Sequence, residues 1–167
     1  MYTQLQGDII KFAKSGKYNV LIHGCNCFHT MGAGVALQIA SAFPQALVAD
    51  KETGYGDRGK LGTISTALWP FPNKKSVAVD DSAFQVDQLI VVNCYTQYYY
   101  GKAQKHFNYE ALRSCFEQVK SNFSGMSFLY PAIGAGLAKG EWGIIHPIIK
   151  EIFHDENHTF VSYNKSR

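Results

Sequence analysis

Between Asn19 and Pro44 the chain reads NVLIHGCNCFHTMGAGVALQIASAFP: an apolar strand up to His23, a short polar loop with glycines, then an amphipathic helix. A strand that is apolar on both faces belongs inside a covered sheet. Followed by a helix, it implies layered α/β architecture. The loop carries Gly32-Ala33-Gly34, where a backbone without side chains lets N–H groups approach a ligand. Those amides stand at a helix start, whose positive dipole end favours phosphate. Asn26 lies just past the strand and can both donate and accept. The segment therefore points to a site for a phosphate-bearing small molecule at the carboxyl end of a strand.

The chain's 167 residues predict one domain, 1–167, long enough to bury about two-thirds of its unfolded surface. With 46% apolar and 17% charged residues it has globular composition, not that of a disordered segment. A net charge of +3, with Lys and Arg scattered, tolerates an anionic ligand. It does not make the basic stripe of a duplex binder, so no dedicated nucleic-acid surface is expected. Cys25 and Cys27 are too close for paired zinc-knuckle spacing, and Cys94 and Cys115 fall at apolar positions as buried thiols. His106, His146, His154 and His158 have no metal-like spacing, and Trp142 is read as packing. Met1 to Gln6 is polar and lacks the apolar segment of a leader, and no apolar run is long enough to span a membrane. The expectation is a monomer in a reduced cytoplasm, with no membrane partner.

Along the chain, strands are expected at 2–6, 18–23, 61–69, 88–95, 126–130 and 159–163. Helical spacing begins at Val35 and is broken at Pro44, a second short helix covers 45–51, and longer helices run over 109–123 and 142–153. A short helical turn passes Phe12 and Ala13, 52–60 reads as loop, and 70–87 is the least legible stretch, with a short strand at 77–79. The loop 96–107, with Tyr98, Tyr99 and Tyr100, is placed near the site as a wall of the cleft or an exposed strand edge. Right-handed crossovers bring the loops after 18–23 and 126–130 to one rim. The second of these, Pro131 to Gly140, is again glycine-rich and again precedes a helix, so the pair would clamp a diphosphate.

Four segments in this order resemble the macro domain, the ADP-ribose-binding fold: Gly7-Asp8-Ile9, Ile22-His23-Gly24-Cys25-Asn26, Met31-Gly32-Ala33-Gly34-Val35-Ala36, and Pro131 to Gly136 with Leu137 and Ala138. The resemblance spans nearly the whole chain. It implies a three-layer fold with a central mixed, mostly parallel sheet and helices on both faces. His23 and Asn26, with the continuation Ala42-Phe43-Pro44-Gln45-Ala46, are similar to the yeast-type ADP-ribose 1″-phosphate phosphatase subgroup. Another subgroup, which removes ADP-ribose from protein carboxylates, uses a lysine on the helix after the first loop and an aspartate in the second. Here 35–43 holds no lysine, and Ala138 follows Leu137. Compact members occur in yeast and in some bacterial viruses, so host cytoplasm is a further expectation.

The resemblance implies a phosphatase that needs no cofactor, with ADP-ribose or its 1″-phosphate as ligand. Asp8, the Ile9 backbone and Tyr163 would take adenine. Gly32, Ala33, Gly34, Val35, Gly134, Ala135, Gly136, Leu137 and Ala138 would cradle or line the diphosphate. Asn26 would hold the distal ribose, and His23 would protonate the leaving oxygen or orient water. Each has a plainer reading: an N-cap for Asp8, a turn-supporting amide for Asn26, a core histidine for His23, tight turns for the glycines. The other functional readings are an ADP-ribose reader, a hydrolase removing ADP-ribose from protein or nucleic acid, and a Rossmann-type binder. The last is disfavoured because Gly32-Ala33-Gly34 lacks the third glycine of the dinucleotide fingerprint.

Overall fold

A computed structural model describes residues 1–72, 87–101, 105–136 and 138–163. The strand expected at 77–79 and the site residue Leu137 lie outside the described residues. The elements run β1 (Tyr2–Gln6), α1 (Ile9–Ala13), β2 (Val20–Cys25), α2 (Gly34–Ala42), α3 (Pro44–Lys51), a 3-10 turn (Arg58–Lys60), β3 (Ile64–Pro70), β4 (Gln88–Tyr95), α4 (Tyr109–Phe123), β5 (Ser127–Tyr130), α5 (Trp142–Ile152) and β6 (Asn157–Ser162). They form a sheet of order β1-β6-β5-β2-β4-β3, in which, among the described residues, only the β3–β4 strand pairing is antiparallel.

Strand alternation divides the interior into two cores. Val20 and Ile22 of β2 face α4 and α5, joining Phe116, Phe128 and Ile149. Leu21 faces the opposite way, toward Ile39 of α2 and Ala46 of α3. This is the three-layer arrangement expected. In α4 the apolar face includes Leu112, Cys115, Phe116 and Val119, and the Asn108 side chain caps the helix by accepting from Ala111 N at 2.9 Å. The strand predicted at 88–95 matches β4 in full.

Two boundary differences matter for the site. β2 runs past His23 to Cys25, so His23 lies within the ladder, paired with Asn93 of β4, instead of ending the strand. Gly24 permits this: a Cβ there would stand 2.9 Å from Thr96 Oγ1 and 3.1 Å from Ile133. The glycine taken for loop is a close-packing residue of the strand. At the other end β6 stops at Ser162, leaving Tyr163 just beyond it.

Candidate functional site

β2 and β5 are parallel neighbours, so the loops that follow them open on one rim. Between these loops lies a cavity of about 630 Å³, within the size range of small-molecule sites. His23, Asn26, Gly32, Ala33, Gly34 and Val35 line it from one side, and Gly134, Gly136 and Ala138 from the other. Tyr100 and Gly101 add part of the wall, as expected of the tyrosine loop, although Tyr98–Tyr100 form no strand.

The first loop meets α2 at an uncapped terminus. Ala33 is the N-cap and supplies no side-chain bond, and the first intrahelical donor is Leu37 N to Ala33 O. Helix geometry leaves the amides of Gly34, Val35 and Ala36 without intrahelical acceptors. All three residues line the cavity. The second loop works differently. Gly134 and Gly136 stand eight and six residues before α5, and the loop closes on itself through Gly140 N to Gly134 O at 2.7 Å. Any anion contact there uses turn amides, without the dipole of the following helix.

The glycines separate by physical cause. Gly134 has φ +74°, and a Cβ on it would overlap the Phe107 ring, so the fold itself demands glycine. Gly32 and Gly136 have neither a left-handed φ nor any described atom within 4 Å of a Cβ, yet both face the cavity. Packing gives no reason for glycine at these two places.

Asn26 is 7% exposed and already engaged. Its Nδ2 donates to Thr30 Oγ1 at 2.6 Å and Thr30 O at 3.1 Å, while Oδ1 accepts from Phe28 N at 2.8 Å. It both holds the loop in shape and lines the cavity.

His23 is 1% exposed, and its Nε2 lies 2.6 Å from Asn93 Oδ1. Burial pulls its pKa from 6.5 down to about 4, outweighing the opposing Asn93 bond. A ring neutral at pH 7, with Nε2 held against Asn93, has no extra proton to give. Burial pushes the Cys25 thiol well above its ordinary pKa, which removes the basis for a nucleophile there. All four cysteines are free and buried, and no group of three or more potential ligands is placed to hold a metal ion among the described residues.

Asp8, Ile9, Ala135 and Tyr163 are not among the residues lining the cavity. Asp8 caps α1, its Oδ1 accepting from Ile10 N at 2.9 Å, and Ile9 is buried in the core. Tyr163 is 71% exposed. Asp8 and Tyr163 nonetheless follow neighbouring parallel strands, joined by Gly7 N to Ser162 O at 3.0 Å, on the same rim as the cavity.

Sequence reasoning missed the brace beneath the first loop. Buried Lys60 donates to Cys27 O at 3.3 Å and Gly54 O at 3.0 Å and lies over the Tyr95 ring. Gly56 N also donates to Cys27 O, and His29 Nε2 to Thr53 O at 2.7 Å. Phe28 meets Tyr55, Tyr98, Tyr99 and Tyr100 edge-on. The segment 52–60, read as loop, buttresses the cavity. Lys60→Met should lower stability by about 2 kcal/mol in urea unfolding, since the Cys27 and Gly54 carbonyls both lose the ammonium donor; an unchanged midpoint would count against the brace.

No family model matches the chain. A search of characterised sequences finds a 17.5 kDa protein of Enterobacteria phage T4, uncharacterized and located in the tk–vs intergenic region. The two are 37% identical over 150 residues, which cover 87% of this chain and 85% of that one. This chain belongs to the family of that phage protein.

The fold of this chain is that of the macrodomains. The macrodomain of Mycobacterium tuberculosis DarG superposes with a TM-score of 0.65 at 18% identity, covering 99% of both chains. DarTG of Thermosipho africanus, solved in complex with ADP-ribose, gives a TM-score of 0.65 at 19% identity over 99% of this chain and 42% of that one. No helix among the described residues of the phage-family chain is long and apolar enough to cross a membrane.

Proposed function

We propose that the cavity binds ADP-ribose and that the chain hydrolyses ADP-ribose 1″-phosphate to ADP-ribose and phosphate. The observation that carries the ligand is the uncapped start of α2 opening onto a cavity that also meets Gly32 and Gly136, two glycines the fold does not require. Amides directed at an empty space of this size suit a diphosphate. The ADP-ribose complex of the DarTG structure, which shares the fold, supports the choice of ligand.

The diphosphate lies between the two loops. The adenosine end extends along the rim past β6 and β1, where Asp8 and Tyr163 flank it. The distal ribose and its 1″-phosphate face Asn26 and His23. Water attacks phosphorus, the bond from phosphorus to the 1″ oxygen breaks, and that oxygen leaves with a proton from solvent. His23 orients the water. Positioning and fixed amide dipoles supply most of the acceleration, as phosphoryl transfer allows.

Calorimetry with ADP-ribose tests binding, and phosphate release from the 1″-phosphate by wild type, His23→Ala and Asn26→Ala tests the reaction. Both variants should lose turnover by roughly 10²-fold, the effect of misplacing water or the distal ribose by about 1 Å. Equal rates in all three would remove the site assignment. ADP-ribose binding without phosphate release, together with release of ADP-ribose from modified protein or DNA, would replace the phosphatase by a hydrolase.

A further inference from the structure

His23, Asn93 and Ser65 stand in one row across three adjacent strands, since β2 and β4 pair His23 with Asn93 and β3 and β4 pair Ser65 with Asn93. The row continues into a buried chain of hydrogen bonds. Asn93 Nδ2 is 3.0 Å from Ser65 Oγ and also 3.0 Å from Ala46 O. Ser65 Oγ is 2.8 Å from Tyr95 Oη, and Tyr95 Oη donates to Asp50 Oδ1 at 2.8 Å.

The direction of each bond follows from two fixed acceptors, the Ala46 carbonyl and the Asp50 carboxylate. The Ala46 carbonyl can only accept, so the NH₂ group of Asn93 must face it, and Asn93 Oδ1 is left toward His23. His23 Nε2 therefore carries the ring proton. The Asp50 carboxylate only accepts, so the Tyr95 proton goes to it, and Ser65 Oγ, which accepts from Asn93, gives its own proton to Tyr95. Each donor points the same way, from the cavity residue toward a carboxyl group in α3. Bonds aligned head to tail polarise one another in a low-dielectric interior.

We infer that Asn93 is a positioning residue for the site: backed by Ser65, Tyr95 and Asp50, it holds His23 in the Nε2–H tautomer, leaving Nδ1 as the ring's only acceptor. The part of this that concerns turnover rests on the phosphatase reading above; the tautomer does not. Nδ1, with only the Cys25 thiol near it at 3.9 Å among the described contacts, is then able to accept a hydrogen bond and not to give one. Tyr95 belongs to the same device, although it does not itself line the cavity.

The test is nitrogen-15 NMR of histidine-labelled protein at pH 7, with wild type, Asn93→Asp and Tyr95→Phe. Wild-type His23 should show a protonated Nε2 and an unprotonated Nδ1. Asn93→Asp places a carboxylate against the ring, so His23 should titrate at higher pH than in wild type. Tyr95→Phe, which touches neither His23 nor Asn93, should shift the Nε2 proton upfield as its bond weakens. In phosphate-release assays both variants should lower kcat at least tenfold while the ADP-ribose Kd stays within about twofold. A protonated Nδ1, or a mixture of tautomers, in the wild type would overturn the inference even if ADP-ribose binds. An Nε2 resonance unmoved in Tyr95→Phe would confine the device to Asn93 and overturn the longer chain. If no variant, wild type included, releases phosphate, the phosphatase reading fails and the tautomer result still decides the hydrogen-bond chain.

Discussion

Gly134→Ala is expected to destabilise the chain by about 3 kcal/mol, adding about 1–2 kcal/mol for a left-handed backbone to about 1–3 kcal/mol for overpacking. Gly134 has φ +74°, and the added methyl would enter the ring of Phe107, itself buried in the larger core. In a chain of this size the melting temperature should fall by roughly 10 °C. Shrinking the obstacle with Phe107→Leu in the same molecule should recover part of the loss, because the two sites are in contact. Gly32→Ala and Gly136→Ala form the contrast. They meet open space and normal backbone, so stability should stay within about 0.5 kcal/mol. Their ADP-ribose affinity should drop at least tenfold, or about 1.4 kcal/mol. A Gly32→Ala protein that binds as wild type would mean that the ligand does not approach that backbone.

Acid should unfold the protein progressively between about pH 6.5 and about pH 4. Burial lowers the pKa values of His23, His146 and His158 each from 6.5 to about 4. In that window the unfolded chain binds protons that the folded chain refuses, so unfolding free energy falls as pH falls, and it is independent of these groups above 6.5. His23 alone contributes up to about 3 kcal/mol, at about 1.4 kcal/mol per pK unit. His146 and His158 act through a cluster remote from the cavity, sharing the Tyr130 hydroxyl at 3.4 and 2.8 Å, with Trp142 stacked on His146. Urea midpoints at pH 7, 6 and 5 measure the slope, and His23→Gln should remove roughly a third of it. A flat profile from pH 7 to pH 5 would mean that these rings are solvated in the folded protein.

Much of this architecture was readable in the residues because burial writes itself into local pattern. β4, apolar on both faces, and α4, with its stripe from Leu112 to Val119, have local causes. So does the common rim of the two glycine loops, which follows from parallel order. What escaped depends on distant partners. Asn93 lies 70 residues from His23, and nothing short of strand register reveals that they share a row. The buttress from Lys60 to Cys27 is equally non-local. Glycine is the sharpest case: Gly24, Gly32 and Gly134 look alike in sequence and all line the cavity, but one packs a strand, one clears a phenyl ring and one meets no packing constraint.

The double hold on the Cys27 carbonyl, from Lys60 and Gly56, has a kinetic corollary. The cradle's first wall is set when the chain folds, so a nucleotide arriving there has little disorder to remove. Capture should therefore follow a single phase, linear in ligand concentration, without a slow rearrangement behind it.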